Sequence, residues 1–503
     1  MGQQGIPRWL FWLIAASGAA SLWLAPHPPM IDLPQHAGQL ALLRQLLTGD
    51  GRWAPLFQIN PYTPYLIGLG LALPLTTVMP IAAAMKLMLS LAYLAFVAAC
   101  VALRKHFGAD VRLDALALCS FFGFAFHWGF FTFLTAAPLG LFFILLASRQ
   151  AQRPAPGRAV GLALLGLLLL VSHGLVFLFS WAAAAGVLLL GTGRIGAALK
   201  AGWPLLVSLA GCVAYFFARG PAEAAFAVAP TVPGVMWQLG IRHEVFGYAF
   251  GLVHQPLSVA TAALMGLAPW LMGLRLNRRP AAWVPFALVA VVLCAVPSFL
   301  FETSFVYQRF ALFLFPTYAW LFTAPAAAAS TTPAARASRW VPLALTACCA
   351  AVLAQNGWRT WRFGQEEADF RAVSATLEPG QRALALIFDP SSAAQGDGGV
   401  YVHHALWYQV EQQGLVDFNF AWVQPQIVRY RVAARPPVAL DFAWRPQRFD
   451  WQRHRGEDYR YFFVRGGPAA PAALFPGAPC LPRLLAEQGR WQVYERSSCL
   501  TRQ

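Results

Sequence analysis

PHPPMIDLPQHAGQLALLRQLL, residues 26–47, is the stretch on which the reading of this chain turns. It follows Arg8 and an apolar run from Trp9 to Ala25 that is long enough to enter a bilayer. That run is expected to be an uncleaved first span and not a signal peptide, because Trp23 would fill the −3 position of a cut after Ala25 and Pro26 would follow it. From Leu33 to Leu47, Leu40, Leu43, Leu46 and Leu47 recur at helical spacing, with Gln39, Arg44 and Gln45 opposite. That pattern predicts a helix lying along the membrane surface. Asp32 stands just before it and Pro34 in its first turn, so the plain role of Asp32 is to cap the helix. The chemical alternative is a general base at the membrane surface, with His36 one turn away to orient it or to hold a ligand.

Outward from this stretch the whole chain has a membrane composition. Of 503 residues 58% are hydrophobic and 12% charged, where a soluble domain carries about 25% charged residues. An ordinary cytosolic enzyme, a disordered chain and a nucleic-acid binder are excluded despite the net charge of +16. Residues 1–355 hold 20 of the 37 basic and 7 of the 21 acidic residues, whereas 356–503 are nearly balanced. The expected organisation is a transmembrane domain over 1–355 followed by a soluble α/β domain over 356–503.

Apolar runs predict about eleven spans, near 8–26, 80–103, 112–127, 131–148, 159–173, 174–191, 201–218, 251–274, 281–301, 310–328 and 340–355. Residues 60–79, broken by four prolines, are expected to stay at the interface. Ser172-His173-Gly174 is expected to split the 159–190 run into a hairpin. With the N-terminus inside, fourteen Lys and Arg residues, Arg336 and Arg339 among them, fall in cytoplasmic loops and five outside. That is the asymmetry of the positive-inside rule, and it places the C-terminal domain outside. The outer loops then hold Asp32, Asp50, Glu223, Glu244 and Glu302, with His27, His36, His127, His173 and His243. No span carries a mid-membrane carboxylate, which weakens a transporter reading. Cys480 and Cys499 are the two cysteines of the C-terminal domain, free to pair in an oxidising compartment.

An outer loop with an acid, then surface helices, then the entry Asn60-Pro61-Tyr62-Thr63-Pro64-Tyr65, then a span ending Arg104-Lys105-His106-Phe107-Gly108, resembles the GT-C glycosyltransferases of bacterial inner membranes. Asp32-Leu33-Pro34-Gln35-His36 is also similar to a motif of uncharacterised members. The resemblance implies an inner-membrane enzyme that takes a sugar from a polyprenyl-phosphate lipid at the periplasmic face and gives it to a glycan, lipid or protein acceptor. It implies Asp32 as catalytic base, with His36 beside it. Arg309, at the outer end of a span, would hold the lipid phosphate through a bidentate guanidinium; its plainer role is as a partner for Glu302. Tyr62, His127, Trp128, His173, Arg242 and Glu302 complete the candidate substrate-binding set. Where many members have a second acid, this chain has His127-Trp128. A Mg²⁺ or Mn²⁺ requirement therefore has no clear motif, and His36 and His127 are the ligands available for one. A flippase for a lipid-linked substrate and a non-catalytic envelope assembly protein are the competing readings.

In the C-terminal domain, helices are expected over 366–377 and 403–413 and strands over 382–388, 459–464 and 490–495. His403-His404 reads as a surface pair at a helix start.

Overall fold

A computed structural model describes residues 6–49, 51–224, 234–251, 256–300, 303–325, 340–396, 398–438 and 441–497. Asp50, Glu302, Arg336, Arg339 and Cys499 lie outside the described residues. The chain forms two compact units: 1–23, 87–222 and 227–358 make the first, and 24–86, 223–226 and 359–503 the second. Residues 24–86, assigned by sequence to the membrane domain, thus fold with the C-terminal residues.

The first unit is helical. Among the described residues five helices are long and apolar enough to cross a membrane: Ile81–Phe107, Phe131–Gln152, Gly174–Thr192, Ile195–Gly220 and the Val341–Ser374 run. Shorter apolar helices cover Pro156–Leu170, Pro256–Leu271 and Pro280–Ala295. The 159–190 run does break, with a turn at Val171-Ser172 and His173 at the N-cap of the next helix. Small residues let helices approach closely where apolar packing alone gives no driving force. Gly140 faces Ser180 so tightly that a Cβ would collide with its hydroxyl, and Gly166 meets Ser208 in the same way.

Two predicted spans are corrected. Residues 112–127 form three short pieces, Val111–Leu113, Leu116–Ser120 and Phe124–Trp128. Residues 310–325 form the 3₁₀ segment Gln308–Phe313, the one-turn helix Leu314–Ala319 and the two-residue strand Phe322–Thr323. Both segments are almost wholly buried. Irregular backbone survives at membrane depth only when protein rather than lipid surrounds it, so hydropathy reads such a segment as a span. Gly123 marks the difference locally: a Cβ there would stand 2.6 Å from the Tyr248 carbonyl oxygen.

The second unit is built on a five-stranded sheet in the order Arg483–Gln488, Trp491–Glu495, Tyr461–Arg465, Arg382–Ile387, Leu415–Asp417. The strand Arg382–Ile387, next to the edge strand Leu415–Asp417, is parallel to both neighbours, and the other pairs are antiparallel. Its core gathers Leu384, Leu386, Trp451, Phe462, Val464 and Phe475. Three of these strands stand where alternation places them; Leu415–Asp417 and Arg483–Gln488 were not foreseen. Cys480 is disulfide-bonded. Residues 60–79 carry the ten-residue helix Leu66–Leu75.

The helix of the opening stretch spans Leu33–Thr48, as the periodicity predicts. Its environment differs from the expectation. Every residue from Leu33 to Leu43 is buried, the polar face included, so protein encloses it for three turns. The reason lies in two glutamines one turn apart. Gln39 accepts from the Val428 N–H at 2.9 Å and donates to the Val428 carbonyl at 3.1 Å. Gln35 accepts from the Phe420 N–H at 2.8 Å and donates to the Phe418 carbonyl at 3.3 Å. A side-chain amide offers the same donor–acceptor pair as a peptide group, so these residues satisfy buried backbone as a neighbouring strand would.

Candidate active site

Asp32 occupies the N-cap position of Leu33–Thr48, yet its side chain makes no capping hydrogen bond. The capping reading is therefore set aside. One carboxylate oxygen lies 3.6 Å from Nε2 of His403, and both groups are largely buried. The other ring nitrogen, Nδ1 of His403, accepts from the Gln35 amide at 3.0 Å. Because the Phe420 N–H needs the oxygen of that amide, the Gln35 nitrogen must face the ring. Nδ1 is consequently an acceptor, and the proton of a neutral imidazole resides on Nε2, towards Asp32. Burial pushes the His403 pKa down to about 3, which keeps the ring neutral. The result is a carboxylate beside a neutral, orientationally fixed N–H donor.

His36 is buried one turn further along, with its ring edge-on to Phe420 at 5.6 Å. Its proximity to Asp32 is helical: the His36 N–H bonds to the Asp32 carbonyl at 3.1 Å. Tyr62 is exposed, its backbone held to Asn60 in a local turn.

His404 is likewise buried, so the expectation of a surface pair at 403–404 is wrong at both positions. Residues 401–405 form a turn ahead of Leu406–Gln412. Turn geometry allows neighbouring rings to part, and they meet different partners. Nε2 of His404 lies 3.5 Å from Glu367, a carboxylate with no exposed surface. The same Glu367 oxygen is 3.0 Å from Nδ1 of His27, whose Nε2 is 2.8 Å from Glu411. The His27 ring stacks on Trp407 at 3.9 Å. Burial depresses the His27 pKa, but hydrogen bonds and charge from Glu367 and Glu411 outweigh it and the net shift is upward. Burial, with the charges of His27 and Arg465, drives His404 well down. Two residues before His27, the Ala25 carbonyl accepts from Lys86 Nζ at 3.1 Å. Among the described residues, His27, Glu367 and His404 are the three-member group whose ligand atoms could hold a metal ion. Neither His36 nor His127 belongs to it.

The remaining candidates lie in the first unit. Arg309 is buried, donates to the Ser304 carbonyl at 2.7 Å and the Phe305 carbonyl at 3.3 Å, and stacks over Phe130 at 3.6 Å. These bonds clamp a turn in which Phe305 has a φ of 57°, a conformation costly for a residue with a Cβ. Trp128 packs on Phe305 at 4.1 Å and on Phe124 at 5.6 Å. His127 is buried and bonds back to the Gly123 carbonyl at 3.1 Å. His173 is buried edge-on to Phe133. Arg242 donates to the Leu293 and Val296 carbonyls at 2.5 and 2.6 Å, satisfying the C-terminus of Pro280–Ala295, and its guanidinium stacks on Tyr307 at 4.3 Å.

Neither a protein-family model nor a curated protein sequence matches the chain. Solved structures do. The crystal structure of ArnT from Cupriavidus metallidurans bound to undecaprenyl phosphate aligns over 98% of both chains, with a TM-score of 0.55 and 14% identity. The arabinofuranosyltransferase AftD from Mycobacteria aligns over 98% of this chain and 40% of its own, with a TM-score of 0.51 and 13% identity. The R1389S mutant of AftD gives a TM-score of 0.54, also at 13% identity and over 42% of its length. Both proteins are GT-C enzymes.

This chain has the GT-C fold. The resemblance carried by residues 32–36 and 60–65 is thus borne out for the fold, and with the five apolar helices it makes the protein a helical membrane protein. Sequence reasoning missed His403, Gln35, His27 and Glu367. The signal for His403 was weak: a His-His pair before a helix, with nothing local to give its distance from Asp32. For Gln35 and Gln39 the i, i+4 spacing was visible, but solvent and buried backbone are equally good partners for an amide.

Proposed function

We propose that the protein is a membrane glycosyltransferase that moves a sugar from a lipid-phosphate donor to an acceptor hydroxyl, with Asp32 as general base. The observation that carries this reading is the Asp32 carboxylate itself. It sits at a helix start without capping the helix and lies beside the neutral His403 N–H. The undecaprenyl phosphate bound to ArnT and the transferase activity in the name of AftD support the donor class and the reaction type.

In the proposed step Asp32 takes the proton of the acceptor hydroxyl. The oxygen attacks the anomeric carbon, the bond from that carbon to the phosphate oxygen breaks, and the lipid phosphate leaves with the electron pair. Attack from the opposite face inverts the anomeric centre. A neutral imidazole suits the base better than a cation would. It places an N–H 3.6 Å from one carboxylate oxygen without adding the positive charge that would depress its basicity. Gln35 and His403 are positioning residues in this scheme. Arg309 is assigned to the lipid phosphate on the chemistry of a guanidinium stacked on the Phe130 ring, where charge develops on the leaving group. The reaction is assigned to the periplasmic face of a bacterial inner membrane; the charge asymmetry of the loops and the disulfide at Cys480 support that side.

The test is transfer from a polyprenyl-phosphate sugar by protein reconstituted in liposomes. Asp32→Asn should lower turnover by about 10²–10⁴-fold while leaving gel-filtration behaviour unchanged. Near-normal turnover in that variant removes Asp32 as the base.

A further inference from the structure

We propose that His27, Glu367 and His404 form a zinc site, with His27 Nδ1, His404 Nε2 and a Glu367 carboxylate oxygen as ligands and Glu411 as the outer partner of His27.

Four observations carry it. The three residues are almost fully buried, with 1%, 0% and 2% exposure for His27, Glu367 and His404. Burying a carboxylate against two imidazoles is costly unless each polar atom is satisfied. Here Nε2 of His404 has no hydrogen-bond partner among the described residues, which is the condition an ion would relieve, while Oε1 of Glu367 faces Arg371 at 3.8 Å. The spacing agrees as well. Ligands about 2.0–2.1 Å from a tetrahedral zinc stand about 3.3 Å from one another. The two distances to Glu367 Oε2 are 3.0 Å from His27 and 3.5 Å from His404, and all three ligand atoms fall within 4.8 Å of one another.

The fourth observation is the outer shell. His27 directs Nδ1 towards the cluster and holds Nε2 at 2.8 Å from Glu411. A metal-bound histidine characteristically donates its second N–H to a carboxylate, which fixes the ring and raises its basicity. The stacked Trp407 ring holds the same orientation from the face. Two imidazoles and one carboxylate select a borderline ion such as Zn²⁺; Mg²⁺ and Ca²⁺ prefer oxygen ligands. Three protein ligands leave one tetrahedral position for water. A metal takes the lone pair of Nδ1, so any proton on that nitrogen leaves to solvent on binding. In sequence the ligands span residues 27 to 404, so the ion would pin the segment before Asp32 to the C-terminal residues of its own unit.

The experiment measures the metal content of full-length protein in detergent, purified without a metal-affinity column. Mass spectrometry should find roughly one zinc per chain. His404→Gln and Glu367→Gln should lower that content at least about tenfold. Should these buried changes prevent folding, Glu411→Gln serves instead, since Glu411 is 45% exposed. Chelator-stripped protein titrated with Zn²⁺ should then bind roughly 10–100-fold more weakly in that variant. Stripped wild-type protein that takes up no Zn²⁺, or variants with wild-type zinc content and affinity, would overturn the site. Neither readout involves sugar transfer, so failure here leaves the role of Asp32 intact, and loss of that role leaves the zinc site intact.

Discussion

Keeping His403 neutral has a cost that appears on acidification. The ring has an ordinary pKa of 6.5 when exposed and about 3 in the folded chain, the drop being caused by burial. Between these values the unfolded segment binds a proton that the folded one refuses, so stability falls as pH falls through 6.5 and towards 3. Integrating one such group from about pH 7.5 to about pH 5.5 gives a loss of about 1.4 kcal/mol, a tenfold change in the opening equilibrium. His404 adds a term of the same sign, because its pKa is also lowered. His27 acts oppositely: its pKa is raised, so its contribution is complete below 6.5 and fades as pH rises through its folded value. A comparison with His403→Gln cancels both. Glutamine can still bond to Gln35 but cannot titrate, and its intrinsic cost is the same at both pH values. The assay is hydrogen exchange on full-length protein in detergent, corrected for intrinsic rates, over Leu406–Gln412 and Leu415–Asp417. Wild-type protection should fall about tenfold more on acidification than that of the variant. Equal pH dependence in the two proteins would show that His403 titrates as an exposed histidine, and would refute the buried neutral donor beside Asp32.

Other perturbations probe the same unit and its partner. Gln35→Glu replaces the donor facing His403 Nδ1 with an acceptor, so the ring should take up a proton and its pKa should rise above 6.5; histidine NMR reads this directly, and an unchanged neutral ring would contradict the tautomer assigned to His403. Gln39→Ala strands the Val428 N–H and carbonyl, at a cost of about 2 kcal/mol, and should lower the thermal midpoint by about 4–8 °C. Arg309→Lys keeps a charge but loses the planar fork, so polyprenyl phosphate co-purifying with the protein should fall about tenfold by lipid mass spectrometry; unchanged lipid content would leave Arg309 only its clamp on the Phe305 turn.

The legible and illegible parts of this chain divide along a physical line. Periodicity is local, and it placed Leu33–Thr48 and three sheet strands, because an element that buries one face announces which face. Hydropathy is local too, but it reports only that a segment avoids water. It cannot separate a helix facing lipid from backbone folded inside protein, which is why 112–127 and 310–328 read as spans. The partner of a polar side chain is not local at all. Asp32 was singled out for its place before a helix; its neighbour His403 lies 371 positions away in sequence. The pair at 403–404 looked like surface because histidines before a helix are cheap to leave in water, and nothing nearby in sequence signals a buried carboxylate at 367.

What the structure adds is a reason for the segment around Asp32 to hold still. A general base works only if its carboxylate keeps its place to within a fraction of an ångström while the acceptor comes and goes. Asp32 follows Pro26, Pro28 and Pro29, a stretch with few backbone donors to secure it. Its position is set by side chains on either side instead. Five residues before it, His27 is held by Glu367, Glu411 and the face of Trp407. Three and seven residues after it, Gln35 and Gln39 grip the backbone at Phe418, Phe420 and Val428. All three anchors end in the C-terminal part of the chain, so the acid of the first loop is positioned by residues that a reading of the membrane domain alone would leave out. A truncation before Arg359 would keep every long apolar helix up to Ile195–Gly220 and still remove the partner of each of these three anchors.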